Sequence, residues 1–363
     1  MNDLNHRTTA RSRNAVPRGE VSGVLETLAA GMSAVIQRPY LVILPLLVDL
    51  WAWLGIQVRA DAMINSMQDV LIEQGGRNGT TVAGELDGVA ERLRVNDVMA
   101  TLTPSVFSGL PADSFLNILL GMVAPAMTAG VDRTTMYAAW SQGLGRTLTP
   151  DRWQEVIGLG LVFFVGATLL LVLFKVTLAQ AVRGGDWPVR TITSDFVLGW
   201  FRLVGLIGLV FAALLFVGLP ILIAAQVLLM VGVNLVALLS LFLFIAGAMA
   251  AVSTYFLLDA MFIYRVGPIQ AARMSYAVAR VNLGQSWRFA AASILIATGL
   301  LQVWDVIVEN PPGVIFALVA NAVIGTGLSI ASMMFFHDRA RLPRPGVTVN
   351  TYRSRRDIPP HPH

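Results

Sequence analysis

Three ionisable residues stand inside stretches that are otherwise apolar. Asp49 lies in "YLVILPLLVDLWAWLGIQV", Lys175 in "VIGLGLVFFVGATLLLVLFKVTLAQAV", and Asp259 near the start of "FLLDAMFIYRVGPIQAARMSYAVAR". A charge moved into an apolar medium costs several kcal/mol, so it is kept only where it is paired or has work to do. Lys175 is the only lysine in 363 residues. At about 1.5 Å per helical residue, Asp49 falls roughly 16 Å, Lys175 roughly 12 Å and Asp259 roughly 9 Å from the arginine at the inner end of its segment. Similar depth makes an ion pair the expected arrangement, with Asp49 the first partner for Lys175 and Asp259 the second. Asp259 also has Arg265 and Arg273 nearby in sequence. Such a pair can fix helix register, or it can serve a proton or solute path. Asp305, toward the far end of its own apolar run, is a fourth charge of this kind.

Other chemistries lack the residues they need. There is no cysteine, which excludes disulfides and thiolate metal sites, and the histidines are His6, His337, His361 and His363, all near the ends. No metal site and no cofactor are expected. Ser105, Ser108 and Ser114 have no visible base, so the chain does not read as an enzyme. The basic charge is almost all arginine, scattered between apolar runs instead of clustered on one domain, which argues against nucleic acid as a partner.

The elements that must position these charges are helices in a membrane. Hydrophobic residues make up 55% of the chain and charged residues only 13%, about half the charge of an ordinary soluble domain. Several apolar runs approach or exceed the ~20 residues that cross a bilayer, and only helices satisfy every backbone group within such a run. The expected fold is all-α and polytopic, with six transmembrane helices. Their spans are about 40–58, 156–182, two within the uncharged stretch 203–258 split at 230–234, 289–308 and 314–336. Pro45 and the "GLP" at 218–220 suggest kinks, and "AGAMAAVS" (246–253) and "GTGLSIAS" (325–332) offer small faces for close packing.

Arginine placement sets the orientation. The tail through Arg38, the connection holding Arg183, Arg190 and Arg202, the connection holding Arg265, Arg273, Arg280 and Arg288, and the C-terminal tail all fall on one side of a six-span chain. Both termini are expected in the cytoplasm and the protein in a bacterial inner membrane. The organisation expected is a disordered basic tail over 1–19, an interfacial helix and first span over 20–58, a helical extracytoplasmic insertion over 59–152, spans two to six over 153–336, and a second disordered basic tail over 337–363. The insertion has three more acids than arginines, and its run 115–131 reads as an interfacial, re-entrant or cap helix. An amphipathic segment ending in arginine precedes each inside-to-outside span: 20–38 with Val21, Leu25, Leu28, Met32 and Ile36 on one stripe, then "TITSDFVLGWFR", then "PIQAARMSYAVARVNLGQSWR". Such helices lie at the membrane surface, and their threefold recurrence suggests a repeated unit.

The stretch "DAMFIYRVGPIQAARMSYAVARVNLGQSWRFAAASIL", with Ala271, Arg273, Ser275, Asn282 and Trp287, resembles the membrane domain of bacterial glycerophosphoryl diester phosphodiesterases and related six-helix proteins. The resemblance implies an integral membrane scaffold and carries over no catalytic residue. The expected role is a non-enzymatic scaffold that binds membrane lipids or other membrane proteins, with Arg38, Arg183, Arg202, Arg265, Arg273, Arg280 and Arg288 at lipid headgroups. The alternatives are a small-solute or lipid transporter using Asp49, Lys175 and Asp259, and an accessory subunit of a larger membrane complex.

Overall fold

The computed structural model describes residues 22–55, 152–184, 189–218, 253–307 and 311–341, with short pieces such as 57–58 and 147–148. The readings made for the insertion 59–152, the fourth span and the two tails fall largely outside these residues. Within them the chain is helical, apart from a two-residue parallel pairing of Gln57–Val58 (β1) with Thr147–Leu148 (β2). The helices are α1 (Val24–Gln37), α2 (Ile43–Leu54), α3 (Trp153–Arg183), α4 (Val189–Ala213), α5 (Leu257–Ile263), α6 (Pro268–Val281), α7 (Leu283–Ile307) and α8 (Pro311–Ala340).

Among the described residues, four helical segments are long and apolar enough to cross a membrane: Ile157–Arg183, Thr191–Ala213, Leu283–Trp304 and Pro312–Ala340. A fifth arises among them if α1 and α2 are taken together, and these meet at 98°. The expected first span is therefore shorter as a single helix. Its 12 residues reach only about 18 Å, against about 30 Å of hydrocarbon. The bend lies at Arg38 and the 3-10 turn Pro39–Val42. Pro45 causes no kink, because it is the third residue of α2, where the first-turn N–H has no intrahelical partner anyway. The second proline signal coincides with a change of winding: the π turn Leu214–Gly218 ends two residues before Pro220. A missing N–H and a wide turn belong together.

Local chemistry explains where the other helices stop. Gly184, at φ +69°, ends α3 in the left-handed conformation that glycine adopts without cost. Gly267 and Pro268 open α6, with proline at its first position. Asn282 closes α6 through its N–H to the Val278 carbonyl, and its own carbonyl accepts the Ser286 N–H to start α7. The segment "TITSDFVLGWFR" behaves differently. Expected as a separate surface helix, it is continuous with the span in α4, because it contains no residue that ends a helix. Its Gly199 instead gives close approach to Phe262 and Val172.

The core is aromatic where α5, α7 and α8 meet. Phe256 stacks on Phe335 with centroids 5.2 Å apart, and Phe289 stacks on Phe335 at 4.5 Å. Each such pair contributes about 0.5–1.5 kcal/mol beyond the area it buries.

Helix α1 lies antiparallel along α8. Ser22 meets Asp338 and Arg339 at one end, and Gly31 meets Gly327 and Ala331 further along. The buried stripe is Thr27, Leu28, Gly31 and Val35, while Leu25 and Ile36 are more than three-quarters exposed. The amphipathic stripe expected to face the acyl chains is thus divided: Leu25 and Ile36 face outward, whereas Leu28 is buried with Thr27, Gly31 and Val35. Gly31 lets the two backbones approach closely, as small residues do where helices pack in lipid.

A Cβ on Gly31 would lie 2.5 Å from the Gly327 carbonyl oxygen, a backbone atom that cannot swing away. Gly31→Ala is expected to lose about 1–3 kcal/mol, seen as a lower melting temperature in detergent. Gly158→Ala, with nothing within 4 Å of its Cβ, is expected to hold or slightly raise it.

Candidate intramembrane charge site

The Lys175 ammonium sits 3.2 Å from Asp259 Oδ1, and neither side chain has any exposed surface. Three elements meet here. Lys175 comes from α3, surrounded by Leu171, Val172, Phe174 and Val176, all buried. Asp259 comes from α5, every residue of which is buried. Ser332 comes from α8 and donates its hydroxyl to Asp259 Oδ2, so both carboxylate oxygens are used. Asp259 lies in the first turn of α5, where the helix dipole favours negative charge. Asp49 is fully buried as well, on α2, and α2 packs against both α3 and α8. The geometry brings the lysine together with Asp259, the carboxylate placed second by sequence. Asp305 lies on α7.

About two turns along α3, the Thr168 hydroxyl accepts the Trp200 indole N–H at 3.2 Å and donates to the Val165 carbonyl at 2.8 Å. This ties α4 to α3. Burying a tryptophan N–H or a threonine hydroxyl needs such a partner.

Several arginines assigned to lipid by sequence are turned toward protein. Asp195 on α4 receives Arg265 Nη2, Gln180 Nε2 at 3.1 Å and Arg183 Nη1 at 3.7 Å. Arg183 also donates to the Phe262 carbonyl at 2.8 Å, and Arg38 to the Ala181 carbonyl at 2.8 Å. Arg265 occupies φ +55° just after α5, a left-handed position that costs a non-glycine residue about 1–2 kcal/mol. Its contact with Asp195 offsets that cost. Sequence reasoning passed over Asp195, although an acid among the arginines of an inner connection was a usable signal. Arg202 is half-buried on α4, and Arg273, Arg280 and Arg288 are exposed.

A third polar junction was also missed. Arg339 is buried on α8, which runs to Ala340, past the boundary expected at 336. Its guanidinium donates to Gln285 Oε1 at 2.9 and 3.2 Å, to the Ser22 carbonyl at 3.2 Å and to the Phe335 carbonyl at 3.3 Å. It also lies over the Phe335 ring, 3.3 Å from the centroid. Two residues earlier on α8, His337 Nδ1 lies 3.3 Å from the Tyr264 hydroxyl, and burial pushes the Tyr264 phenol up. Among the described residues no group of three or more His, Asp or Glu side chains could hold a metal ion.

Comparison of the chain with family models, with curated proteins and with solved structures finds no match.

Removing one member of a buried ion pair leaves the other charged in a dry interior and costs about 3–5 kcal/mol, whereas replacing both with apolar residues is far milder. Lys175→Met and Asp259→Leu are each expected to lower thermal stability in detergent strongly, and the double variant to lose less than either single one. Simple additivity of the two losses would overturn the pairing. At the second cluster, Asp195→Ala removes the acceptor of three donors and is expected to cost about 1–3 kcal/mol, read in the same melting assay.

Proposed function

We propose that this chain is a six-span protein of the bacterial cytoplasmic membrane that acts as a non-enzymatic scaffold for lipid or protein partners. Its termini and α6 lie on the cytoplasmic side, and the segment 59–152 lies outside. The arginine distribution supports the orientation, and the likeness to phosphodiesterase membrane domains supports a scaffold without a catalytic unit. The observation that carries the reading is the use to which charge is put. Lys175, Asp259 and Asp49 are wholly enclosed, and the contacts of the first two join helices. A transporter using these three residues needs a path from water to them, and their zero exposure in this conformation favours the scaffold reading.

The absence of cysteine makes single-cysteine labelling free of background. Ser332→Cys differs little in size and touches the buried pair. In sealed vesicles it is expected to resist membrane-impermeant maleimide from both sides. Labelling from either side would overturn the scaffold reading in favour of transport. Gln154→Cys and Gln270→Cys, both at exposed positions, are expected to label from opposite sides, with Gln270→Cys reached from the cytoplasm. Labelling of both from one side would overturn the topology. A stoichiometric protein partner after gentle extraction would favour the accessory-subunit reading.

A further inference from the structure

We infer that the corner between α6 and α7 is a seat for an acidic phospholipid, with Arg273, Arg280 and Arg288 holding the headgroup phosphate. This rests on the cytoplasmic placement of α6 proposed above and narrows it to one site and one ligand class. Of the seven arginines that sequence assigned to headgroups, Arg38, Arg183 and Arg265 are committed to protein oxygens, and Arg202 is half-buried within α4. Arg273, Arg280 and Arg288 are exposed and make no hydrogen bond or ion pair with the described residues.

Spacing puts two of these groups on one face of α6 and the third just beyond the turn into α7. Ile269, Arg273, Tyr276 and Arg280 recur at four, three and four residues, which is one face of a helix. Arg273 and Arg280 are two turns apart, about 10 Å along the axis. The chain then turns at Asn282, and Trp287 and Arg288 follow within two turns of the start of α7. Tyr276 is 53% and Trp287 54% exposed, as suits rings that sit at a membrane–water boundary.

Charge selects the ligand. From Pro268 to Arg288 there are three arginines and no acid, so nothing within the segment neutralises them. Guanidinium groups recognise phosphate through paired N–H donors. Val281 and Leu283, 67% and 52% exposed, flank the arginines with apolar surface. A free phosphate offers that surface nothing, whereas a phospholipid brings acyl chains to cover it.

The experiment uses the purified full-length protein in neutral detergent, with thermal stability followed as phosphatidylglycerol, phosphatidylcholine or inorganic phosphate is added. Phosphatidylglycerol is expected to raise the melting temperature in a saturable way, and the other two to leave it unchanged. Each of Arg273→Gln, Arg280→Gln and Arg288→Gln is expected to weaken the apparent affinity roughly fivefold, the equivalent of about one basic residue at an anionic surface. The triple variant should abolish the response, and Arg341→Gln should retain it. Should the triple variant fail to fold, the three single variants carry the test, because each removes an exposed side chain with no internal partner. An equal response to phosphatidylcholine or phosphate, or an undiminished response in the single variants, would overturn the seat. The Gln270→Cys label separates the two readings. Extracytoplasmic labelling with the phosphatidylglycerol response intact refutes the orientation alone, and cytoplasmic labelling with no response refutes the lipid seat alone.

Discussion

The bundle depends on a lysine and an aspartate that meet where neither can touch water. Each would cost several kcal/mol to bury alone, so the helices that carry them are held to the one arrangement in which the charges meet. The effect is greatest for α5, which has only seven residues and is far below the length at which a helix persists by itself. It is buried on every side and fastened through Asp259 to α3 and α8 at once. The aromatic stack of Phe256, Phe289 and Phe335 then builds on a position already set by charge. Hydrophobic contact cannot set it, because in lipid the alternative to a protein neighbour is equally apolar.

Helix α1 faces two ways. Thr27, Leu28, Gly31 and Val35 face protein while Leu25 and Ile36 face out. Contact between α1 and α8 is then close enough for dispersion and backbone dipoles to matter, and the end of the contact is sealed by Arg339, which holds the Ser22 carbonyl. Polar groups therefore mark the ends and centre of the helix contacts, and small residues fill the lengths between.

What was legible in the sequence follows from which physical signal is local. The long helices α3, α7 and α8 could be read directly, because a run of apolar residues needs no context to show its length. The break at Asn282 was implied only by the family resemblance, since the segment from Pro268 to Arg288 otherwise reads as one amphipathic stretch. Membership of the charge site could be read from scarcity, since one lysine has few partners. That Asp259 meets it could not be told from depth, because depth along separate helices does not say which helices are neighbours. The face of α1 was legible in part: Leu25 and Ile36 face outward as in a surface helix, whereas Leu28 of the same stripe is buried, because the stripe does not show that α8 lies alongside. The continuity of α4 was missed because an amphipathic stretch and a span differ in composition without any residue to divide them. Arginine was the least legible type. Its side chain is long enough to reach a headgroup, a carboxylate or a carbonyl, and Arg183, Arg265 and Arg339 each found protein oxygen.

The joint between α6 and α7 is a single residue. Asn282 is bonded back to Val278 and forward to Ser286, so almost no slack separates a helix exposed along one face from one long enough to cross the membrane. Bilayers of different thickness change the tilt of the helices that span them. The other end of α6 runs through residues 264–267 into the buried α5, and its Ser275 hydroxyl is held by the Ser253 carbonyl. The corner is in mechanical terms a stiff elbow: a change of tilt in α7 meets the packing of α6 directly, with no loop to take it up.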